Sequence, residues 1–408
     1  MLQGFVHPDF SQVADLLRKQ LPKSGLGGAA VCVYHHGECV ADIWGGTRNE
    51  DRDPWEKDTL SLSFSTTKGV ASTLLHVLAD KHLIDYDIPV VHYWPEFGQG
   101  GKSRITVREV LCHEAGLYAI RSMVEHADEM CDWDAMIHYI EKAKPVHVPG
   151  TANGYHGLTY GYLVGEIVRR VTGMSFTEAL QEYLAKPLKL DGLHCGLPVS
   201  ELSRRARLII PHRAAPSGKK TGTWRKAMVK MAINGALSIT GSSIEHTKQG
   251  LLPRGMSAFD FNSEAVVSSC IPAANGMFTA RSLAKLYGAL ANEGAVDGVR
   301  ILSSDRIRRM GEIQSTRRDK VVHLPMKWRM GYHRVFTTGP RTPNAFGHFG
   351  FGGSGAWCDP SRGLSVAMTL NSGVGTPFGD SRIAYINSAA LRAVDRCRRE
   401  GVPLVTVY

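Results

Sequence analysis

The sequence predicts an α+β protein in which a mainly antiparallel sheet is built from both ends of the chain and flanked by helices. A mainly helical part is inserted between the two ends. Three observations carry this reading: strand-like runs gather at residues 28–64 and again at 328–371, the long middle reads as helices and loops, and no internal repeat divides the 408 residues.

The elements follow in order. Pro8 to Gln20 has Phe10, Val13, Leu16 and Leu17 at helical spacing and ends in a glycine-rich break. Gly28 to Tyr34 and Glu38 to Trp44 flank His35-His36-Gly37 and form a hairpin pattern. Leu60 to Phe64 is a short strand-like run, and Thr67 to His82 a helix of small and apolar residues. Helical stretches continue at Thr106–Cys112, Trp133–Lys142, Leu163–Val171, Ser175–Lys186 and Ala280–Asn292. Strands return at Trp328–Phe336, Ala345–Phe351, Gly355–Cys358 and Leu364–Asn371, separated by glycines, and a helix over Ser381–Arg398 closes the chain. This divides the protein into a discontinuous sheet domain, 1–84 with 315–408, and a mainly helical domain, 85–314, with the active cleft at their junction.

Composition narrows the function. With 43% hydrophobic and 21% charged residues the chain fills a sizeable core, and disordered, collagenous and coiled-coil architectures are excluded. The longest apolar stretches, such as Val70 to Ala79, reach about half of the ~20 residues a membrane span requires. The opening MLQGFVHPDF has neither a basic start nor an apolar core, so the expected location is cytoplasmic. Eight separated cysteines, without a CxxC pair or a Cys/His cluster at zinc spacing, read as reduced thiols, and no metal is expected. The net charge of +10 suggests nucleic acid only at first sight. Nine basic residues and no acidic one fall within 202–230, and the remainder carries 39 basic against 38 acidic residues. The excess is therefore one local, Pro/Gly/Ser-rich basic loop, and no nucleic-acid partner is expected.

Chemistry enters at Ser65-Thr66-Thr67-Lys68. Three residues along a helix bring a side chain back to the same face, so Lys68 reaches the Ser65 hydroxyl, and a lysine desolvated in a cleft serves as base or relay. The helix start adds partial positive charge where an oxyanion develops. SxxK also occurs at Ser217–Lys220, inside the basic loop, and at Ser282–Lys285, on an amphipathic helix capped by Thr279. Only Ser65 follows a strand-like run and opens a helix of small residues.

Three further blocks accompany it in order: ITVREVLCHEAGL (Ile105–Leu117), KPVHVPGTANGYHGLTYGYLVGEIV (Lys144–Val168) and FGHFGFGGSGAWCDP (Phe346–Pro360). Together with SxxK they resemble the serine β-lactamase and penicillin-recognising superfamily, in particular its class C-like branch and the family VIII carboxylesterases, over nearly the whole chain. The resemblance implies the β-lactamase/transpeptidase-like fold, with Ser65 as the acylated nucleophile, Lys68 as its partner and Tyr155 as general base. That role requires the Tyr155 pKa to fall from about 10 under cationic neighbours such as Lys68. It further implies an oxyanion hole from the backbone N–H groups of Ser65 and Phe351, and a substrate-binding edge at His348 and Gly350, with Gly157 and Trp357 nearby. No organic cofactor is implied.

Two departures from the pattern point away from penicillins. The Tyr-x-Asn of β-lactamases is Tyr155-His156-Gly157, and the lysine of Lys-Thr-Gly is His348, which is mainly neutral at pH 7. The expected function is a serine carboxylesterase that cleaves small to medium neutral esters through an acyl-enzyme. A β-lactamase, a D-amino-acid amidase or peptidase, and an acyltransferase use the same residues; a catalytically silent scaffold of the same fold is the non-enzymatic alternative. Ser354, in Gly352-Gly353-Ser354-Gly355, is the rival nucleophile, but a strand-like run follows it where a nucleophile elbow needs a helix. Oligomeric state is left open.

Overall fold

The computed structural model describes residues 2–23, 25–209, 243–373 and 381–400, with side chains to residue 397. Most of the basic loop, including Ser217 and Lys220, lies outside them. The described part of that loop is tied down: Arg204 pairs with Glu201 at 2.7 Å and Arg207 with Glu50 at 3.3 Å.

Seven antiparallel strands form the main sheet, in the order β1 (Leu2–Val6), β3 (Glu38–Gly46), β2 (Gly28–His35), β12 (Leu364–Leu370), β11 (Gly355–Asp359), β10 (Phe346–Phe349), β9 (His333–Arg334). The seam between the two chain ends is the β2–β12 pair, in register from Leu364 opposite His35 to Leu370 opposite Ala29. Alternation along β12 explains the layers. Leu364, Val366, Met368 and Leu370 face one core, filled by the helices Ser11–Gln20 and Ser381–Glu400. Ser365 and Ala367 face the other side, and these small residues let the helix Ala280–Ala291 approach until the Ser365 hydroxyl donates to the Ala284 carbonyl at 2.7 Å. That helix falls within 85–314, the part read from the sequence as the inserted domain, yet it packs on the sheet against β2, β11 and β12.

Differences from the sequence expectation have local causes. β1 was not anticipated because its central residues Gln3, Gly4 and Phe5 are exposed and give no alternation. The strand expected over Trp328–Phe336 shrinks to His333–Arg334: Gly331, at φ +83°, turns the chain where a Cβ would lie 2.1 Å from the Ser72 hydroxyl. The helix expected over Ser175–Lys186 contains a π turn at Gln181–Ala185, just ahead of Pro187, which has no N–H to continue the α ladder. Helices at Ile244–Leu251, Glu264–Ser268 and Ser304–Gly311 were missed.

A second, three-stranded sheet positions the site. β4 (Ser61–Leu62) and β5 (Leu193–His194) both pair with β6 (Met277–Phe278), while β7 (Ala295–Val296) and β8 (Val299–Arg300) form a separate two-stranded ribbon. The strand leading to Ser65 is thereby fastened to the turn at residues 271–276. Among the described residues no helix is long and apolar enough to cross a membrane.

Candidate active site

Ser65 is the N-cap residue of the helix Thr66–Asp80, yet its hydroxyl makes no capping bond. The first helical N–H groups are satisfied by the backbone instead: Thr66 donates to the Ser63 carbonyl, Thr67 to Phe64 and Lys68 to Ser65, at 3.0–3.1 Å. A serine at this position normally spends its oxygen on the helix end. Here the oxygen is left for Lys68, whose Nζ lies 3.0 Å away.

Lys68 is fully buried. Its other strong partner is the Ala273 carbonyl, at 2.8 Å. Burial pushes its pKa well below the usual lysine range, because no carboxylate compensates the charge. A neutral amine in this geometry donates to Ala273 and offers its lone pair to the Ser65 O–H. Ala273 was not singled out from the sequence. It is held by Asn275, whose side chain accepts the Ile271 N–H and donates to the Val266 and Ser269 carbonyls. Gly276 completes the turn by bonding Ser63 and Thr67. The Asn275-Gly276 dipeptide is the one local signal that a turn stands here.

Tyr155 stands on the other side of Lys68, with Nζ 4.9 Å from its ring centre. The two sequence blocks around it interlock. Gly154 N–H donates to the His113 carbonyl, Asn153 Nδ2 to the Cys112 carbonyl and His156 N–H to His113 Nδ1. His156 Nε2 accepts the Leu117 N–H, so its Nδ1 carries the proton and donates to His113 Nδ1 at 3.2 Å. Beneath the loop lies Asp319, fully buried, which the sequence did not mark among 38 acidic residues. Its carboxylate accepts the backbone N–H groups of Tyr155, Val321 and Val322 and the indole N–H of Trp328, at 2.8–3.2 Å. Trp328 in turn stacks on Tyr155, with ring centres 5.7 Å apart and planes at 12°.

This surrounding corrects the expected electrostatics of Tyr155. Burial raises its pKa above the ordinary tyrosine value and the Asp319 charge adds to the rise, while its hydrogen bond with Ser65 opposes them. Lys68, pushed toward neutrality by the same burial, is no cation to pull it down. Both shifts run the same way, toward a neutral amine beside a protonated phenol.

The remaining expected residues divide. His348, on β10, is buried with its ring 6.1 Å from that of Tyr155. Burial holds its pKa well below the usual histidine value, and that of neighbouring His333 falls to about 4. Gly350 lies where the strand end meets the nucleophile turn: a Cβ there would be 2.2 Å from the Ser63 carbonyl oxygen. Among the described residues no hydrogen bond is donated by the Ser65 or the Phe351 N–H, the pair that the family resemblance assigns to an oxyanion.

Trp357 and Gly157 are corrected. Trp357 is fully buried on the opposite face of the sheet, its indole donating to Asn387 of the closing helix at 2.7 Å; strand alternation turns it away from the site. Gly157 packs against the helix Ile244–Leu251: a Cβ would lie 2.7 Å from the Gly250 carbonyl and closer still to Leu251. An asparagine does not fit there. Ser354 is buried, its carbonyl accepts the Gly350 N–H, and β11 follows it, which is not the setting of an elbow nucleophile. Ser282 has its hydroxyl on Asp191, and Lys285 pairs with Asp297.

A small pocket opens beside Tyr155, lined by Val322, Met326, Trp328, His333, Phe336, His348 and Phe349. Among the described residues no group of three or more His, Cys, Asp or Glu is set to hold a metal ion.

Known proteins resemble the chain over most of its length. A family model described as Beta-lactamase matches residues 13–391. The chain is 36% identical over 375 residues to the Esterase/beta-lactamase LipL of Mycobacterium tuberculosis, covering 90% of this chain and 82% of that protein. Among solved structures it is similar to a family VIII carboxylesterase, with 34% identity and a TM-score of 0.83 over 96% of this chain and 100% of the other. It is similar to a penicillin-binding protein homologue from Caulobacter crescentus as well, with 34% identity, a TM-score of 0.81 and the same two coverages.

Proposed function

The chain belongs to the beta-lactamase family, and on that premise we propose that it is a serine carboxylesterase that cleaves small to medium neutral carboxylic esters through an acyl-enzyme on Ser65. The observation that carries the reading is the contact between the Ser65 hydroxyl and a buried, charge-deprived Lys68 at 3.0 Å.

The steps follow from the protonation states. Ser65 Oγ attacks the ester carbonyl as its proton passes to the Lys68 amine, while the Ser65 and Phe351 N–H groups hold the oxyanion. As the C–O bond breaks, Tyr155 gives its proton to the departing alkoxide and is reprotonated from Lys68. This leaves the acyl-enzyme, the free alcohol and a neutral amine. Water then attacks the acyl carbon, losing its proton to Lys68 by way of Tyr155. Collapse of the tetrahedral adduct returns that proton to Ser65 and releases the acid.

Preference for neutral esters is supported by His348, which stands where a β-lactamase has a lysine and is itself kept neutral by burial. Gly157, which has no room for an amide side chain, points the same way. A second reading, cleavage of β-lactams by the same residues, is favoured by the double name of the LipL relative.

Hydrolysis of a short p-nitrophenyl acyl ester and of a chromogenic cephalosporin, by wild type and Ser65→Ala in parallel, tests both. Ester turnover that vanishes in the variant, with little cephalosporin cleavage, is the expected outcome. Cephalosporin as the better substrate would return the protein to the β-lactamases, and ester turnover retained by Ser65→Ala would remove Ser65 from its role.

A further inference from the structure

One group of aromatic side chains has no part in the mechanism above, although it adjoins Ser65 and includes the side chain of Phe351. Phe64 immediately precedes Ser65 and sits at φ +44°, a strained conformation for a bulky L-residue. Such strain persists where the surroundings hold it in place. Phe64 is held on two sides. Its ring meets Phe261 at 5.1 Å and Phe351 at 5.5 Å, both edge-on, and its carbonyl accepts the Thr67 N–H and hydroxyl. Phe259 backs Phe261 at 5.0 Å, again edge-on.

The far end of the cluster is open. Phe351 is 44% exposed, and it rides on a turn of glycines at 350, 352 and 353 that keeps side chains out of the approach. Folding has left a large apolar ring exposed at the residue whose N–H the proposed mechanism puts on the oxyanion.

The two halves of an ester are thereby separated. Tyr155 protonates the leaving oxygen, so the alcohol departs on the side of Tyr155 and Trp328. The phenylalanine cluster makes no ring contact with Tyr155 or Trp328 among the described residues. It adjoins Ser65 and Phe351 instead, the side that the departing alcohol leaves for the acyl group.

We propose that Phe351, braced from behind by the buried Phe64 and the partly buried Phe261, forms an acyl-binding platform that selects esters whose acyl group is aromatic or broadly apolar, such as arylacetyl esters, over acetyl esters. The proposal deepens the carboxylesterase reading and rests on it. A phenyl ring placed edge-on against Phe351 adds the attraction of one aromatic pair to the area it buries.

The test holds the leaving group constant. For p-nitrophenyl phenylacetate against p-nitrophenyl acetate, the wild-type kcat/KM ratio, divided by the ratio for the same two esters with imidazole as catalyst, is expected to be about ten or more. Phe351→Leu and Phe261→Ala are each expected to bring that corrected ratio down severalfold toward one. A wild-type ratio near one, or a ratio unchanged in both variants, overturns the platform. Equilibrium binding of the two intact esters to Ser65→Ala protein reads the same preference without turnover. Tighter binding of the phenylacetate, lost with Phe351→Leu, upholds the platform even if the wild type hydrolyses neither ester and the esterase reading falls. Turnover without any preference sinks the platform and leaves the esterase standing.

Discussion

The two sides of the site are built by different physics. Ser65 and Lys68 sit three residues apart on one helix, so their meeting is a consequence of helical repeat, and a fully buried lysine with no carboxylate partner follows from the apolar residues around it. Tyr155 belongs to a loop with no regular structure. Its place is set by hydrogen bonds that span 43 residues to His113 and 164 residues to Asp319. A helix turn is rigid by itself; the Tyr155 loop is only as rigid as the side chains that fasten it. Substitutions on the Ser65 side should therefore damage chemistry with little effect on folding, whereas those under Tyr155 should damage both.

The largest effect expected is on the Ser65 side. Lys68→Met should lower ester kcat/KM by about 10³-fold or more, since both proton transfers pass through the amine. The melting temperature should hold or rise, because a desolvated lysine is replaced by an apolar side chain of similar length. Parallel kinetics and thermal unfolding check this; a large fall in melting temperature would show that the lysine is structural.

Next comes the other side. Asp319→Ala leaves four donors without their acceptor and should destabilise the protein by about 2–4 kcal/mol in urea unfolding. Asp319→Asn keeps the shape, loses the charge and turns an N–H₂ toward either the Trp328 indole or the backbone donors. Activity in Asp319→Asn should fall while phosphonylation of Ser65 by an activated phosphonate ester continues. Equal loss of both reactions would show that the two sides are one unit and break the comparison.

Tyr155→Phe keeps the stack on Trp328 and removes the proton donor, and a loss of about 10²-fold in ester turnover is expected, with unchanged stability. Gly350→Ala is milder: its Cβ would push against the Ser63 carbonyl and move Phe351 relative to Ser65. About tenfold lower kcat with a nearly constant KM is expected, the mark of an interaction made in the transition state.

The pH profile separates the groups without mutation. Lys68 must be neutral to accept the Ser65 proton, so activity rises as pH increases through its depressed pKa and is lost below it. Tyr155 must be protonated, and its pKa is raised above 10, so no falling limb belongs to it up to about pH 10. His333 and His156, with pKa values lowered to about 4 and about 3, are already neutral over that range. Activity that instead climbs through pH 9–10 would mark the phenolate as the base, which is the role the family resemblance assigned to Tyr155.

Much of this was legible in the sequence, and the pattern of success follows the same division. The helix carrying Ser65 and Lys68, the β2–β3 hairpin and β10 to β12 are fixed by short-range periodicity, and their bounds shift by a few residues at most. Trp357 was misplaced because alternation says that neighbouring residues face opposite ways but not which face meets the cleft. From the sequence Gly157 reads as a missing amide, whereas its cause is the helix Ile244–Leu251, some 90 residues away in the chain. Asp319, Ala273 and Phe261 had no local signature at all; each acts through a partner brought near only by the fold.

The central claim is that Ser65, activated by Lys68, is the nucleophile, and a covalent label tests it most directly. The protein is treated with an activated phosphonate ester, digested, and the modified peptide is sequenced by mass spectrometry. A single adduct on Ser65, absent from Ser65→Ala and formed far more slowly in Lys68→Met, is the result expected. An adduct on Ser354, or labelling of Ser65 at an undiminished rate without Lys68, would contradict it.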